Sequence, residues 1–440
     1  MYPEATPTPG SGSRLLGLLA TVQAPSGQAL TPQAVQEAVT AACPVTDFHR
    51  QRVLLIVPDH TRTAPVGMMF KALHHHLQAV VDQFDVLIAL GTHPPMSEAA
   101  ILQRLEINPA ERATRYAAVR FHNHEWDRPD ALRQVGTLAA GEIHHLTEGR
   151  FALDVPVEVN RRLFEYDRLI IVGPVLPHEV VGFSGGNKYL FPGVAGPRIL
   201  DFFHWLGAVI TTPKIIGHRW TPVRRVIDRA AALIPVPKLC FSIVMEGDRF
   251  AGLFAGTAEA AWEAACGLSV ELNVVVKDRP YQTILACAPA MYDEIWTAGK
   301  CMYKLEPVLA DGGELIIYAP HIREFSVTHG EHIRAVGYHC RDFFVKQWDR
   351  YKDRPWGVLA HSTHVRGQGT FHRRVERLRA QVTLATAIPE AACRAVNLGY
   401  RDPASLRPED FADREREGVL LVPKAGEVLY RLRHPPEWAA

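Results

Sequence analysis

The sequence lacks three features that would each indicate a class of protein. Its 440 residues include 48 Lys and Arg against 47 Asp and Glu, a formal net charge of +1, whereas a nucleic-acid binder should show a basic excess. No apolar run approaches the roughly 18 residues that a membrane span needs. The seven cysteines include no C-x-x-C pair, so neither a zinc knuckle nor a disulfide framework is indicated. We therefore expect reduced thiols, a cytoplasmic location, and no nucleic-acid or membrane partner.

What is present is an ordinary globular composition with many histidines. Hydrophobic residues make up 47% and charged residues 22% of the chain, which is typical of a soluble fold, and the length favours two domains. There are 21 histidines. Most are expected to be surface or structural imidazoles, including the adjacent 74–76 triplet, whose side chains point in different directions on a helix. The functional question is whether a few of the others converge.

The beginning of the chain predicts a leader followed by a strand. Residues 1–13 (MYPEATPTPGSGS) are of low complexity and are expected to be disordered. The segment 14–22 (RLLGLLATV) resembles a short signal sequence, but no basic cluster precedes it and Glu4 is acidic. We therefore expect a strand there and not a signal peptide.

The next segments alternate between helix-like and strand-like patterns. Thr31 and Pro32 are typical of the N-cap and first position of a helix over 31–42, and 65–83 is also helix-like. Short apolar runs bounded by turn residues predict buried parallel strands. They lie at 52–57, 84–90 and 168–172.

A second α/β unit follows from about residue 273. Strands are predicted at 281–286 and 314–318, with a helix over 294–310 that stops at the Asp-Gly-Gly turn of 311–313. The expected fold is therefore α/β, with two domains of mostly parallel sheets. The expected division is a leader at 1–13, an N-terminal domain at 14–272, a C-terminal domain at 273–417, and C-terminal strands at 418–440 whose domain the pattern leaves open.

Chemically reactive side chains follow the three predicted strands of the first domain. Ligands of open α/β sheets bind outside the carboxyl ends of the strands. If these strands share one sheet, one crevice between the domains receives Asp59, Arg62, His93, His178 and Lys188. Each of these residues also has a simpler interpretation: a helix cap for the aspartate, a surface ion pair for the arginine, and turn residues for the histidines.

The glycine-rich loop GFSGGNK at 182–188 suggests anion binding. Exposed amides of Ser184, Gly185 and Gly186 would form a nest, and Lys188 beside it suits a phosphate or a carboxylate. The loop is not a Walker A motif, because neither its glycine spacing nor the residue after the lysine fits. A phosphate- or nucleotide-binding transferase therefore remains an alternative, as does a plain surface loop.

Two histidines and an arginine suggest a reaction on a small acid. Neutral imidazoles are suited to move protons near pH 7, and the planar guanidinium of Arg62 suits a carboxylate. His204 lies in the apolar segment ILDFFHW. It is either a satisfied core histidine or a metal ligand that acts as a single imidazole.

Taken together, these motifs resemble the lactate racemase family. His178, Lys188 and His204 follow one another at intervals of 10 and 16 residues, as the family pattern has them. The resemblance covers most of residues 50–210 and continues more loosely over 298–319. The matching motifs are DHTR at 59–62, GTHPP at 91–95 and PHEVVGFSGGNKYLFPG at 177–193.

The resemblance implies a nickel-pincer nucleotide as cofactor. This is a pyridinium-3-thioamide-5-thiocarboxylic acid mononucleotide that binds nickel, joined covalently to Lys188, with His204 as a further nickel ligand. It also implies cofactor-biosynthesis enzymes as partners. The other residues that we assign to the cofactor are Asp59, Thr61, Ser184, Gly185 and Gly186.

The resemblance further implies an isomerase, a racemase or epimerase of a small 2-hydroxy acid. His93 and His178 would act as acid and base while hydride passes reversibly between the substrate and the cofactor. Arg62 and Lys300 would contact the substrate carboxylate or carbonyl. Thr297 stands where the family has Gln, so the substrate is expected to be larger than lactate or differently substituted, for example a sugar acid. A non-catalytic homologue that binds the cofactor is a further alternative.

Overall fold

The computed structural model describes residues 17–439. The expectation of a disordered leader at 1–13 lies outside the described residues. A strand is present after it, as expected, and it begins at Leu18. In the part of the chain that is described, no helix combines the length and hydropathy that crossing a bilayer requires.

The first part of the chain builds a sheet of seven strands with helices around it. Its helices are α1 (Pro32–Ala42), α2 (Val66–Leu77), α3 (Glu98–Arg104), α4 (Pro109–Ala113), α5 (Ala140–Leu146), α6 (Pro197–Ile210), α7 (Thr212–Ile215), α8 (Pro222–Ala231) and α9 (Ala258–Asn273). Its strands are β1 (Leu18–Gln23), β2 (Arg52–Pro58), β3 (Gln83–Ala89), β4 (Phe121–Asn123), β5 (Leu132–Leu138), β6 (Val155–Asn160), β7 (Arg168–Pro174), β8 (Pro177–His178), β9 (Gly182–Phe183), β10 (Lys238–Glu246) and β11 (Arg249–Gly256).

The three predicted strands are neighbours at the centre of this sheet. The strand order is β1-β11-β10-β7-β2-β3-β4. Strands β10, β7, β2, β3 and β4 run parallel, and β11 is antiparallel to both β10 and β1. The strand β2 (RVLLIVP) is buried from its second residue onward, because helices cover both faces of a parallel sheet. Thr31 caps α1 by accepting the amide of Ala34, as the sequence predicts.

The second part of the chain builds a five-stranded parallel sheet in the order β18-β17-β14-β13-β19. Two further pairs, β12 with β20 and β15 with β16, flank this sheet. The strands are β12 (Val274–Lys277), β13 (Tyr281–Cys287), β14 (Leu309–Ala319), β15 (Gly369–His372), β16 (Val375–Leu378), β17 (Gln381–Thr386), β18 (Gly399–Tyr400), β19 (Val419–Val422) and β20 (Leu429–Leu432). Its helices are α10 (Ile295–Ala298), α11 (Lys300–Tyr303), α12 (Gly330–Val336), α13 (Arg341–Val345), α14 (Trp348–Tyr351), α15 (Trp356–Arg366) and α16 (Glu390–Ala395).

The helix predicted over 294–310 is present as three short turns and not as one continuous helix. These turns are α10, α11 and a 3₁₀ turn at Glu306–Val308, and the chain becomes extended at Leu309. Pro307, which lacks a backbone N–H, lies in the last of them. Gly312, which the sequence predicts to end a helix, lies inside β14 with a φ of +72°. The ladder between β14 and β13 is irregular at this point.

The C-terminal strands pair within the second part, and helix contacts join the two parts of the molecule. Strand β19 pairs with β13 in the second sheet, and β20 pairs with β12, directly after α9. The helices α6 and α15 pack against each other across the two parts, and the carboxylate of Asp201 on α6 accepts the amide of Gly357 at 2.9 Å. These contacts hold the carboxyl edge of the first sheet against the second part.

Candidate active site

A cavity of about 390 Å³ lies where the carboxyl ends of the first sheet meet the second part of the chain. It is within the size range of small-ligand sites. Strands β2, β3 and β7 each end at its wall, so their following loops supply the side chains. The sequence-predicted residues that line it are Asp59, Arg62, His93, His178, Ser184, Lys188, His204 and Lys300.

His93 is held by a carboxylate. Its Nδ1 lies 2.5 Å from Oδ2 of Asp59, whose other oxygen accepts the amide and hydroxyl of Thr61 at 3.1 and 2.7 Å. Burial alone would raise the pKa of Asp59, but His93 and Arg62 outweigh it and hold that pKa below its usual range. An ionised Asp59 keeps the proton of the neutral His93 ring on Nδ1, so Nε2 is free to accept a proton. Asp59 therefore orients the histidine and does not cap a helix.

The neutral ring of His178 carries its proton on the other nitrogen from that of His93. Its Nδ1 accepts the amide of Val180 at 3.1 Å, which leaves the proton of the neutral ring on Nε2. Glu179 Oε2 also lies 3.2 Å from this Nδ1. If Nδ1 carried a proton, it would donate to this carboxylate and no longer accept the amide of Val180. Burial, and then the positive charges of Lys188 and Arg62, hold the pKa of His178 well below its usual value. His178 is thus neutral, and its ring can present either a donor or an acceptor.

The basic side chains of Arg62 and Lys300 both reach the backbone carbonyl of Thr61. Arg62 donates to the carbonyl and hydroxyl of Thr61 at 3.0 and 2.8 Å, and Lys300 Nζ lies 3.4 Å from the same carbonyl oxygen. Burial and the charge of Arg62 lower the pKa of Lys300 well below its usual value. Lys300 comes from the second part of the chain, so the contact joins the two parts. A carboxylate ligand would relieve the repulsion between these groups.

Lys188 extends from a loop whose backbone is held by hydrogen bonds from Arg224. Gly186–Tyr189 forms a short 3₁₀ turn, and the buried Arg224 donates to the carbonyls of Phe183 and Gly185 while stacking 4.1 Å from the ring centroid of Trp262. Among residues 17–439, no side chain accepts a hydrogen bond from Lys188 Nζ. Burial, with Arg62 next, lowers the pKa of this lysine from 10.5 to about 7.

The glycines of this loop have a packing role. A Cβ on Gly185 would lie 2.5 Å from Val175, and one on Gly186 would lie 2.9 Å from the carbonyl of Ala258. Both have positive φ values, +87° and +59°, which favour glycine. Neither glycine lines the cavity, and neither does Thr61. The predicted anion-binding nest is therefore replaced by close packing, which removes the main argument for a nucleotide-binding transferase.

His204 presents one ring nitrogen to the cavity. Its Nδ1 bonds to the carbonyl of Leu200 at 2.7 Å, so Nδ1 carries the proton and Nε2 keeps its lone pair. Burial lowers the pKa of His204 to about 4. Within the described residues, no group of three or more His, Cys, Asp or Glu side chains is arranged to hold a metal ion. His204 therefore offers one unprotonated imidazole nitrogen to the cavity.

Four histidines without a predicted role also line the cavity: His329, His332, His361 and His364. All four belong to the second part of the chain. His361 and His364 are three residues apart on α15 and so share one face. That spacing was the available signal in the sequence. His329 and His332 are spaced in the same way but extend across the start of α12.

The fold and the cavity define an α/β protein with an enzyme-like site between two sheets. Residues 20–215 match the family model described as the lactate racemase N-terminal domain. Lactate racemases of Lactiplantibacillus plantarum and Thermoanaerobacterium thermosaccharolyticum are each 24% identical, over 277 and 275 residues. Each alignment spans 61% of this chain and 60% of the relative. Residues 20–215, somewhat under half of the chain, therefore resemble the N-terminal domain of the lactate racemase family.

The fold of this chain is similar to that of two solved structures. A crystal structure of a Thermotoga maritima protein superimposes with a TM-score of 0.86 at 37% identity and covers 94% of this chain and 100% of that one. The lactate racemase apoprotein of T. thermosaccharolyticum gives a TM-score of 0.66 at 17% identity, over 90% and 93% of the two chains. At that identity the second likeness concerns the fold alone.

Proposed function

We propose that the protein is a racemase or epimerase of a 2-hydroxy acid larger than lactate, and that it uses a nickel-pincer nucleotide joined to Lys188. One observation carries the proposal. Two imidazoles with opposite hydrogen-bonding arrangements, His93 and His178, line the same cavity as the basic side chains of Arg62 and Lys300. Such a site can hold the carboxylate of a small acid between two groups that exchange protons.

The residues present fit the cofactor that the family implies. Lys188 offers an amine that is partly neutral at pH 7, because its pKa is lowered to about 7, and that has no hydrogen-bond partner among the described residues; covalent attachment requires the neutral form. His204 offers one unprotonated nitrogen, as a metal with its other donors on a cofactor requires. When bound, this group supplies a hydride acceptor that the protein side chains lack.

The chain's own residues would then move protons at the substrate hydroxyl. His93 Nε2 accepts the hydroxyl proton, and the negative charge of Asp59 stabilises the imidazolium that results. In this direction His178 must start as the imidazolium, with its Nδ1 proton directed at Glu179. It gives its Nε2 proton to the carbonyl oxygen of the planar keto acid when the other face is used, so that His178 ends neutral and His93 ends protonated. In the reverse direction the two histidines exchange these roles, which the alternative partners of His178 Nδ1, Val180 and Glu179, permit. Arg62 and Lys300 keep the carboxylate in place throughout.

The test uses protein that is produced together with cofactor-biosynthesis enzymes. We expect a mass adduct on Lys188, bound nickel, and inversion at C2 of a 2-hydroxy acid, followed by chiral chromatography. A deuterium placed on C2 should be retained through inversion, because hydride returns to the same carbon. His93→Ala and His178→Ala should each reduce the rate by about 100- to 10,000-fold. Absence of both adduct and nickel, or loss of the deuterium to solvent, would contradict the proposal, and a loaded protein without turnover would indicate a non-catalytic homologue.

A further inference from the structure

One wall of the cavity is made of imidazoles around the indole of Trp296, and the indole of Trp126 lies beside it, 6.0 Å from His329 between ring centroids. The ring centroids of His329 and His361 each lie 4.4 Å from that of Trp296. All three side chains line the cavity. They come from α10, the start of α12, and α15, so tertiary packing alone brings them together. The mechanism proposed above uses none of them.

Both imidazoles are oriented by a hydroxyl of a neighbouring element. His329 Nε2 lies 3.1 Å from Oγ1 of Thr92, and His361 Nε2 lies 3.2 Å from the hydroxyl of Tyr338. Among residues 17–439, neither Nδ1 has a hydrogen-bond partner, so both are available to a ligand. Thr92 directly precedes His93. The imidazole wall therefore adjoins the acid–base site.

The charges around this wall disfavour a second anionic group. Burial and other histidines lower the pKa of His329 to about 4 and hold that of His361 well below its usual value. No lysine or arginine contributes to either shift. A distal carboxylate or phosphate would therefore find two neutral rings and no fixed cation.

An aryl or alkyl group also fits this wall poorly. An aryl group needs an open aromatic face, but two imidazoles already pack against Trp296. A bound alkyl chain would bury two ring nitrogens without partners, which is unfavourable. A hydroxyl group both donates and accepts, and so it can pair with either tautomer of a neutral imidazole.

We propose that Trp296, His329 and His361 form a subsite for the substrate chain beyond C2, and that this chain carries hydroxyl groups, as in an aldonic acid. The inference rests on the proposed function, since it extends the same site.

The test compares aldonic acids of four and six carbons with 2-hydroxyalkanoates of the same chain lengths, using the holoprotein and measuring kcat/KM for inversion at C2. 3-Phenyllactate and malate represent the aryl and dicarboxylate alternatives. We expect the aldonates to be preferred over the alkanoates by at least tenfold. Equal or better turnover of the alkanoates, phenyllactate or malate would overturn the inference and leave the proposed function standing. No inversion of any acid by nickel-loaded protein would overturn the proposed function and the inference with it.

Variants then locate the preference. His329→Phe and His361→Phe should each lower the aldonate-to-alkanoate ratio by about tenfold, and the exposed His372→Phe, outside the cavity, should not change it. Tyr338→Phe deletes only the hydroxyl that orients His361, so it tests the same ratio in a variant with its packing intact. If His329→Phe, His361→Phe and Tyr338→Phe all keep the aldonate-to-alkanoate ratio of the native protein, the proposed subsite is wrong.

Discussion

Lys188 gives the most direct test of the site, because it needs neither cofactor nor substrate. Its amine lies in the cavity wall, where burial, Arg62 and Arg224 outweigh the opposing carboxylates and bring its pKa from 10.5 to about 7. At pH 7 about half of these amines are neutral, whereas an amine with the ordinary pKa is neutral in about one molecule in 3,000. The expected difference in reactive fraction is therefore about a thousandfold.

The assay is brief acetylation of the apoprotein over a pH series that spans the two pKa values, with each lysine quantified by peptide mass spectrometry. Acetylation requires the neutral amine, so its rate reports the neutral fraction. Lys188 should reach its half-maximal rate near pH 7, and the exposed Lys352 serves as an internal reference. If the two lysines acquire acetyl groups in parallel as the pH rises, the reasoning about burial is wrong.

The electrostatic contribution can be separated from burial. Arg62→Gln removes a cation that lowers the pKa of Lys188, so the midpoint of Lys188 should rise by about one pH unit. Arg416→Gln removes an exposed cation elsewhere and is the matched control. A midpoint that stays unchanged in Arg62→Gln, or that moves equally in both variants, would refute the assigned cause.

Three further predictions concern the same site. Asp59→Asn leaves the shape but removes the charge that fixes Nδ1–H of His93, so inversion should slow by about 100- to 10,000-fold while adduct and nickel are retained; an unchanged rate would refute this role. His204→Ala should keep the mass adduct but lose nickel by metal analysis, and full nickel occupancy would refute that assignment. Lys188→Met removes an amine whose pKa is lower in the folded than in the unfolded chain. The destabilisation from that amine therefore grows as pH falls from 10.5 towards 7, to at most about 4 kcal/mol at pH 7 against about 2 kcal/mol at pH 9. The Tm gain of the apoprotein variant should accordingly be larger at pH 7, and an equal gain at both pH values would contradict the pKa shift.

The central strands could be predicted because parallel strands leave a strong local signal. β2, β3 and β7 are short apolar runs that end in turn residues, and buried strands require just that composition. Their shared edge then follows from the general placement of ligand sites in α/β sheets. The prediction of a continuous helix failed over 294–310, where the chain forms separate helical turns up to Val308 and then pairs as β14 with β13 from Leu309. Tertiary pairing outweighs local propensity there.

The imidazole wall could not be predicted from local pattern. His329 and His361 are 32 residues apart in the sequence, and Trp296, which joins them, precedes both. Nothing in the spacing of these residues indicates contact, since their positions depend on how α10, α12 and α15 pack. The glycines at 185 and 186 show the reverse problem. Their pattern suggests a backbone that is open to a ligand, but a positive φ serves equally well for close packing against Trp262.

The two parts of the chain contribute different properties to the site. The segment that matches the family model, 20–215, contains His93, His178, Lys188 and His204, which are the residues of the proposed acid–base chemistry and cofactor attachment. The imidazole wall lies outside that segment. Substitution in the second part can therefore alter which acid is accepted without altering how protons are moved.

The hydrogen bonds between the two parts make the site dependent on their contact. Lys300 bonds to the carbonyl of Thr61, and His329 bonds to Thr92. Lys304 bonds to the carbonyl of Pro177, which directly precedes His178. Each of these three bonds thus ends on, or next to, a residue of the proposed site. Separation of the two parts would release the carboxylate contact, the substrate-chain subsite and the backbone of one acid–base histidine together, so the site can act only when the parts are in contact.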